Sequence, residues 1–306
     1  MRVLITGSTG FIGHHVTKHV LKDNKITSVL LPSRNTTTLR SVLKSNKISR
    51  CWYTPGDLHD LGRIVKNYNP HYVLHLAANP SPRPGGVGNM IDDNIKLTKV
   101  LLDNVQKKCK FLYASSVVVY GNQSGQCDES TLLEPTSLYG ATKAASEALI
   151  SAYHHMGYIR GTNLRLCATV GKGLTHGIIF DFIKKLKAKS DELEMFGDCP
   201  GSSKPFIHVS DVVKAFHMAM YNCNTNLKTY NVCPNDYISV SGIADVVMST
   251  LDIKKKKKWM GSTSVWKGDN KYIHCSNNRI RFAGWMSDYP TSREAICQAV
   301  KEENES

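Results

Sequence analysis

Val3-Leu4-Ile5-Thr6-Gly7-Ser8-Thr9-Gly10-Phe11-Ile12-Gly13 decides the fold. An apolar run ends in three glycines spaced three apart, and helical periodicity then continues through Leu21, which reads as strand, tight turn, helix. Glycines let the backbone approach a pyrophosphate, and the N–H groups and positive dipole end of the next helix face it. Gly7, Thr9, Gly10, Phe11, Ile12 and Gly13 are therefore the first candidate dinucleotide-binding residues.

Working outward, the first half repeats a strand-then-helix rhythm. The pattern predicts helices over 12–22, 58–67, 90–107 and 137–155, and strands over 26–31, 48–53, 72–76, 110–114 and 161–167. Alternation of this kind builds an α/β, doubly wound parallel sheet of the Rossmann type, with its ligand edge at the strand C-termini. Past residue 170 the rhythm breaks. Helical segments (178–188, 209–221, 240–251, 291–301) alternate with polar loops, and only Thr229–Val232 reads clearly as strand. The expected organisation is a dinucleotide-binding domain over 1–170, its sheet completed by later segments, and a smaller, partly interleaved substrate-binding lobe over 171–306.

A content of 41% hydrophobic and 21% charged residues excludes a disordered chain, and no apolar run reaches the roughly 18 residues of a membrane helix. The nine cysteines are scattered, with no metal-ligand spacing, so reduced thiols and no metal are expected. Because the chain opens almost directly on the cofactor strand Val3–Ile5, a cytoplasmic location without a leader is the expectation. The net charge of +14 suits anionic small molecules. Its one dense run, Lys254–Lys258, reads as a solvated loop, and no nucleic-acid motif accompanies it.

The second strand ends in Ser33-Arg34, where an NAD site would place a carboxylate on the ribose hydroxyls. Ser33 and Arg34 can instead donate to a 2′-phosphate, which slightly favours NADP over NAD. Asp57 and Leu58 follow the third strand, where a carboxylate can accept from the adenine amino group. Leu76, Ala77 and Ala78 end the fourth with small residues against which a cofactor can lie. Ser81 falls in a proline-rich loop at the same edge and is expected to border the substrate. Tyr139 and Lys143 share one face of a helix, so an ammonium can lower the phenol pKa and reach the nicotinamide ribose. The pair Ser115-Ser116 ends the fifth strand some twenty residues upstream.

In these residues the chain resembles the extended short-chain dehydrogenase/reductases, in the nucleotide-sugar epimerase/dehydratase group. The resemblance runs in order through TGSTGFIG (6–13), GDL (56–58), LAA (76–78), YASSVVVYG (113–121), YGATK (139–143), LR (164–165), THGIIFDFIKKL (175–186), KPFIHVSDVVKAF (204–216) and WKGD (266–269). It implies Tyr139 as acid/base, Lys143 as its pKa-setting partner and ribose ligand, Ser116 as the hydroxyl that binds the reacting sugar oxygen, and Cys167 near the cofactor. It also implies a nucleotide-diphosphate sugar as substrate and a homodimer through helices 90–107 and 137–155.

Dehydratases of the family carry an Asp-Glu pair after that serine or threonine, where this chain has Val117 and Val118, so 4,6-dehydration is disfavoured. Ala168 stands where the family commonly has a diphosphate-binding Asn, and Lys204 and Trp266 or Lys267 stand in place of its arginines. The diphosphate grip is therefore expected from Lys204, Lys267 and the 172–179 segment with Lys172, Thr175 and His176. His208 is expected to end a strand and Asp211 to cap the next helix. The resulting expectation is a C4 epimerase, with an NADPH-dependent 4-keto-sugar reductase and a non-catalytic cofactor-binding protein as alternatives.

Overall fold

Three fully buried residues, Val3, Leu4 and Ile5, make β1 (Arg2–Thr6) the middle of the molecule. Transferring each such side chain from water contributes about 1.5–3 kcal/mol. The computed structural model describes residues 1–33, 45–52, 58–80, 90–222, 226–261, 268 and 270–305. After β1 come α1 (Phe11–Lys22), β2 (Ser28–Ser33), β3 (Ile48–Trp52), α2 (His59–Tyr68) and β4 (Tyr72–His75). A π-helical turn (Asp92–Lys96) leads into α3 (Leu97–Asn104), followed by β5 (Cys109–Ser116), a 3₁₀ turn (Val117–Tyr120), α4 (Leu138–His155) and β6 (Ile159–Leu166).

The second half supplies β7 (Ala168–Val170), α5 (Ile178–Lys187), β8 (Glu192–Met195), β9 (Ser203–Lys204), β10 (Phe206–His208), α6 (Val209–Tyr221), β11 (Lys228–Val232), β12 (Ile238–Ser239), α7 (Val240–Leu251), β13 (Lys256–Trp259), α8 (Asn278–Phe282) and α9 (Ser292–Asn304).

Among the described residues, β3, β2, β1, β4, β5, β6 and β11 form one all-parallel sheet in that spatial order. The order reverses between β1 and β4, which opens the crevice where doubly wound sheets bind ligands. One apolar cluster joins the sheet to α1 and α6. A second, with Leu61, Val65, Leu101 and Ile150, fills the opposite face under α2, α3 and α4. A third, built from α5, α7, α9, β8 and β10, belongs to the C-terminal segments. Chain 209–232 returns to the sheet: α6 packs on α1, and β11 pairs with β6.

In its secondary structure the chain departs most from the sequence reading in three places. The helix expected over 90–107 is a π turn followed by α3, which ends at Asn104. More of the C-terminal half is strand than Thr229–Val232, because β7, β8, β9, β10, β12 and β13 are short and pair in two-stranded sheets with segments distant in sequence. Only part of the lysine run is a loop: Lys254 and Lys255 lie outside any strand, whereas Lys256–Trp259 pairs in parallel with Glu192–Met195. Lysines alternate like any strand residues. The Lys257 ammonium reaches the Ser241 carbonyl at 3.0 Å and Asp245 at 2.7 Å, and the Lys255 ammonium reaches the Ala188 carbonyl at 2.6 Å. Their stems cover apolar surface while their heads stay paired or wet.

Candidate active site

The glycine turn and the end of β4 meet at the strand-order reversal. A methyl group on Gly7, whose φ is +71°, would sit 2.6 Å from the Ala77 nitrogen, and one on Gly13 would sit 1.9 Å from the Gly7 carbonyl oxygen. These two glycines let the turn pack against 76–78 and against itself. Gly10 differs: among the described residues a methyl group there would meet only the Gly7 oxygen, at 3.3 Å. Thr9 is exposed beside it, Phe11 and Ile12 are half-buried, and no side chain caps α1. The Ser8 hydroxyl is buried and has no hydrogen-bond partner among the described residues. An orphaned hydroxyl, an uncapped helix N-terminus and the room left at Gly10 fit the pyrophosphate of a nicotinamide dinucleotide.

A buried polar chain runs from this turn to α4. The Ala77 N–H donates to Thr6 Oγ1 at 3.1 Å, Thr6 Oγ1 lies 2.7 Å from His75 Nδ1, and His75 Nε2 lies 2.9 Å from Thr98 Oγ1. Thr98 Oγ1 then donates to the Asn94 carbonyl at 2.6 Å. That direction fixes the roles: Thr6 donates to Nδ1 and Nε2–H donates to Thr98, a neutral imidazole. Burial, and secondarily the nearby Lys143 charge, hold His75 down at about 3. Asn94 sits in the π turn, and its side-chain amide donates to Thr142 Oγ1 on α4 at 3.0 Å while its oxygen accepts from the Asn79 N–H at 2.7 Å.

Ser137 caps α4 by accepting from the Gly140 N–H at 3.1 Å, which sets Tyr139 and Lys143 in its first turns. Lys143 is 2% exposed, donates to the Ala114 carbonyl at 2.6 Å, and lies 4.7 Å from the Tyr113 ring centroid and 5.6 Å from that of Tyr139. Burial draws its ammonium down to about 7, against the opposing charge of Glu147. Tyr139 is half-buried and its phenol is pushed up to about 12 by desolvation, so the lowering expected from the four-residue spacing is not what the protein alone produces. The lysine is drawn to the end of β5 instead. Ser116 ends that strand, buried, and accepts from the Val118 N–H at 3.4 Å to start the 3₁₀ turn. Val117 and Val118 in that turn carry no ionisable group.

Gly7–Gly13, Leu76–Ala78, Ser116, Tyr139 and Lys143 thus gather along one sheet edge. Ser33 is buried at the end of β2, Leu58 precedes α2, and the buried Cys167 thiol between β6 and β7 is pushed well up by desolvation. Thr175 and His176 are exposed ahead of α5, and Lys204 lies in β9, paired with β12. Arg34, Asp57, Ser81 and Lys267 lie outside the described residues. His208 both ends β10 and caps α6, with Nε2 3.1 Å from Glu302. Asp211 is not that cap. It is buried inside the first turn of α6, where its carboxylate accepts from Ser287 Oγ at 2.6 Å and from the N–H groups of Asp288 and Tyr289 at 2.8 and 3.1 Å. His75, Thr98 and Asn94 escaped the sequence reading. Their one signal was polar side chains at positions an apolar strand or helix face would otherwise fill.

Fold and site together define a dinucleotide-binding α/β chain with serine, tyrosine and lysine at its ligand edge. The model of the NAD dependent epimerase/dehydratase family matches residues 3–233, and the chain belongs to that family. It is 27% identical over 260 residues to an uncharacterized UDP-glucose epimerase of Bacillus subtilis, covering 81% of each chain. It is 27% identical over 264 residues to the dTDP-glucose 4,6-dehydratase of Salmonella typhimurium, covering 76% of this chain and 72% of the other. Among solved structures, a UDP-galactose 4-epimerase superposes with a TM-score of 0.79 at 25% identity, covering 100% of this chain and 99% of that one. The Bacillus cereus UDP-glucuronic acid 4-epimerase, solved with UDP-glucuronic acid and NAD, superposes over the same shares with a TM-score of 0.85 at 22% identity.

Proposed function

We infer that this chain is a nucleotide-sugar 4-epimerase acting on a UDP-sugar. The observation that carries the reading is the placement of Lys143 on the Ala114 carbonyl, two residues before Ser116 at the end of β5 and 5.6 Å from the Tyr139 ring, at the sheet edge that also carries the glycine turn, with valines where dehydration would need an acid and a base. The dinucleotide, held by Gly7–Gly13, Leu58 and Leu76–Ala78, supplies reversible hydride acceptance when bound. Tyr139 takes the proton of the sugar C4 hydroxyl and later returns it. Ser116 orients that oxygen. Lys143, whose ammonium stays on the Ala114 carbonyl 5.6 Å from the Tyr139 ring centroid, places a positive charge that favours the phenolate against the desolvation that keeps the phenol at about 12. Lys204, Lys267, Thr175, His176 and Ser81 are assigned to the nucleotide sugar.

A second reading, net reduction of a 4-keto sugar by NADPH, is favoured by the absence of a carboxylate at Ser33-Arg34. Incubating the purified protein with UDP-, GDP- and CDP-sugars, with and without NADPH, separates the two. Turnover without added cofactor supports the epimerase, and stoichiometric NADPH consumption overturns it. The same reading pairs two cytoplasmic copies through α3 and α4, which sedimentation of the full chain tests.

A further inference from the structure

One helical turn beyond Lys143, α4 carries a second buried charge. Glu147 is 6% exposed and accepts from Ser115 Oγ at 2.5 Å, from Arg165 Nε at 3.0 and 3.3 Å, and from Arg165 Nη2 at 2.7 Å. Arg165 is 5% exposed, and its Nη1 donates to the Tyr120 hydroxyl at 2.8 Å, which donates to Asn231 Oδ1 on β11 at 2.7 Å. Ser115 and Arg165 are register partners on β5 and β6. Five residues from α4, β5, the 3₁₀ turn, β6 and β11 are thereby locked together within the core.

Stability alone does not explain the arrangement, since a buried ion pair is often no better than apolar residues of the same volume. Its placement does. Lys143 and Glu147, four residues apart, grip consecutive residues of β5: the ammonium holds the Ala114 carbonyl and the carboxylate holds the Ser115 hydroxyl. The next residue is Ser116. We propose that Glu147 is a positioning residue that acts through Ser115 and Lys143 to set the geometry and charge of the Ser116–Tyr139–Lys143 site. This rests on the assignment of those three residues to the reaction.

The electrostatics agree. Lys143 faces Tyr139 on its own helix, Tyr113 on β5 and His75 on β4, and among the described residues Glu147 is the carboxylate whose charge acts on it. Tyr139 and Tyr113 are held protonated and His75 neutral by burial, so none of them opposes the desolvation of the ammonium. Glu147 is itself faced by Arg165 from β6 and Ser115 from β5. Without its charge, Lys143 loses its proton at lower pH.

The test is Glu147→Gln in the full chain, made alongside Glu147→Gln/Arg165→Met so that an uncompensated guanidinium does not decide the outcome by unfolding. The expected result is a basic limb of the kcat–pH profile displaced by about one unit to lower pH, which lowers kcat about tenfold at pH 7.5. KM for the UDP-sugar stays within about threefold, and Glu147→Asp restores part of the rate. Profiles of both variants that coincide with wild type overturn the proposal. If the wild-type chain turns over no nucleotide sugar, the functional reading fails. The inference is then decided by Nζ NMR titration of Lys143: a lower midpoint in Glu147→Gln supports it, and an unchanged midpoint overturns it.

Discussion

Gly13→Ala is the perturbation whose size the structure sets most directly. The added methyl carbon would stand 1.9 Å from the Gly7 carbonyl oxygen, 2.7 Å from its carbon and 3.1 Å from Ser8 Cα, all backbone atoms that no rotamer change can move aside. Relief requires the turn to shift by about 1 Å relative to α1, and overpacking of this kind costs about 1–3 kcal/mol. A shift of that size at a positioning loop costs about 100-fold in function. Gly10→Ala is the matched control. Among the described residues its methyl meets only the Gly7 oxygen at 3.3 Å, so the fold is retained while the carbon occupies the space assigned to the pyrophosphate. Thermal unfolding and calorimetric titration with NAD and NADP read both variants. Gly13→Ala should lose several degrees of Tm together with dinucleotide affinity, and Gly10→Ala affinity alone. A Gly13→Ala protein that binds dinucleotide within twofold of wild type would refute the close approach inferred here.

Tyr139→Phe should lower turnover by about 100-fold to 10,000-fold with dinucleotide binding and Tm unchanged, and turnover within threefold of wild type would remove Tyr139 from the acid/base role. Arg34→Ala should raise the Kd for NADP at least about tenfold more than that for NAD, since a charge-assisted bond to phosphate contributes about 1.5–3 kcal/mol; equal effects on the two would show that Arg34 reads no phosphate. His75, held at about 3 against an ordinary 6.5, binds its proton more readily in the unfolded chain. Its contribution to stability is therefore intact above about pH 6.5 and is lost at about 1.4 kcal/mol per unit as pH falls toward 3. Urea unfolding at pH 7, 6 and 5 should show His75→Gln losing less stability with acid than wild type, and identical slopes would mean that His75 is protonated in the folded chain.

Much of this was legible in the residues. The glycine turn, the parallel rhythm of the first half and the Tyr139–Lys143 spacing each follow from local geometry, whereas the role of Ser116 came from the family resemblance; the structure puts the turn at a strand end and Lys143 on the end of β5. What was hidden depends on tertiary contact. Lys256–Trp259 looked like a loop because charge outweighed alternation, yet pairing with β8 and ion pairs to Asp245 and Glu192 make it a strand. Asp211 looked like a cap because it stands at a helix start, but its true partners lie 76 to 78 residues away. His75, Asn94, Glu147 and Arg165 are single polar residues in apolar surroundings, and their meaning comes from partners that only folding brings within reach.

The central claim, epimerisation through transient oxidation at C4, is tested most directly with UDP-glucose deuterated at C4, incubated with the purified chain and no added dinucleotide. The account predicts a C4 epimer that keeps its deuterium on C4 in water, observed by NMR of the product. Epimer formed with the label washed into solvent, or, in a parallel incubation with NADPH, NADPH consumed with no epimer from any UDP-sugar, would contradict it.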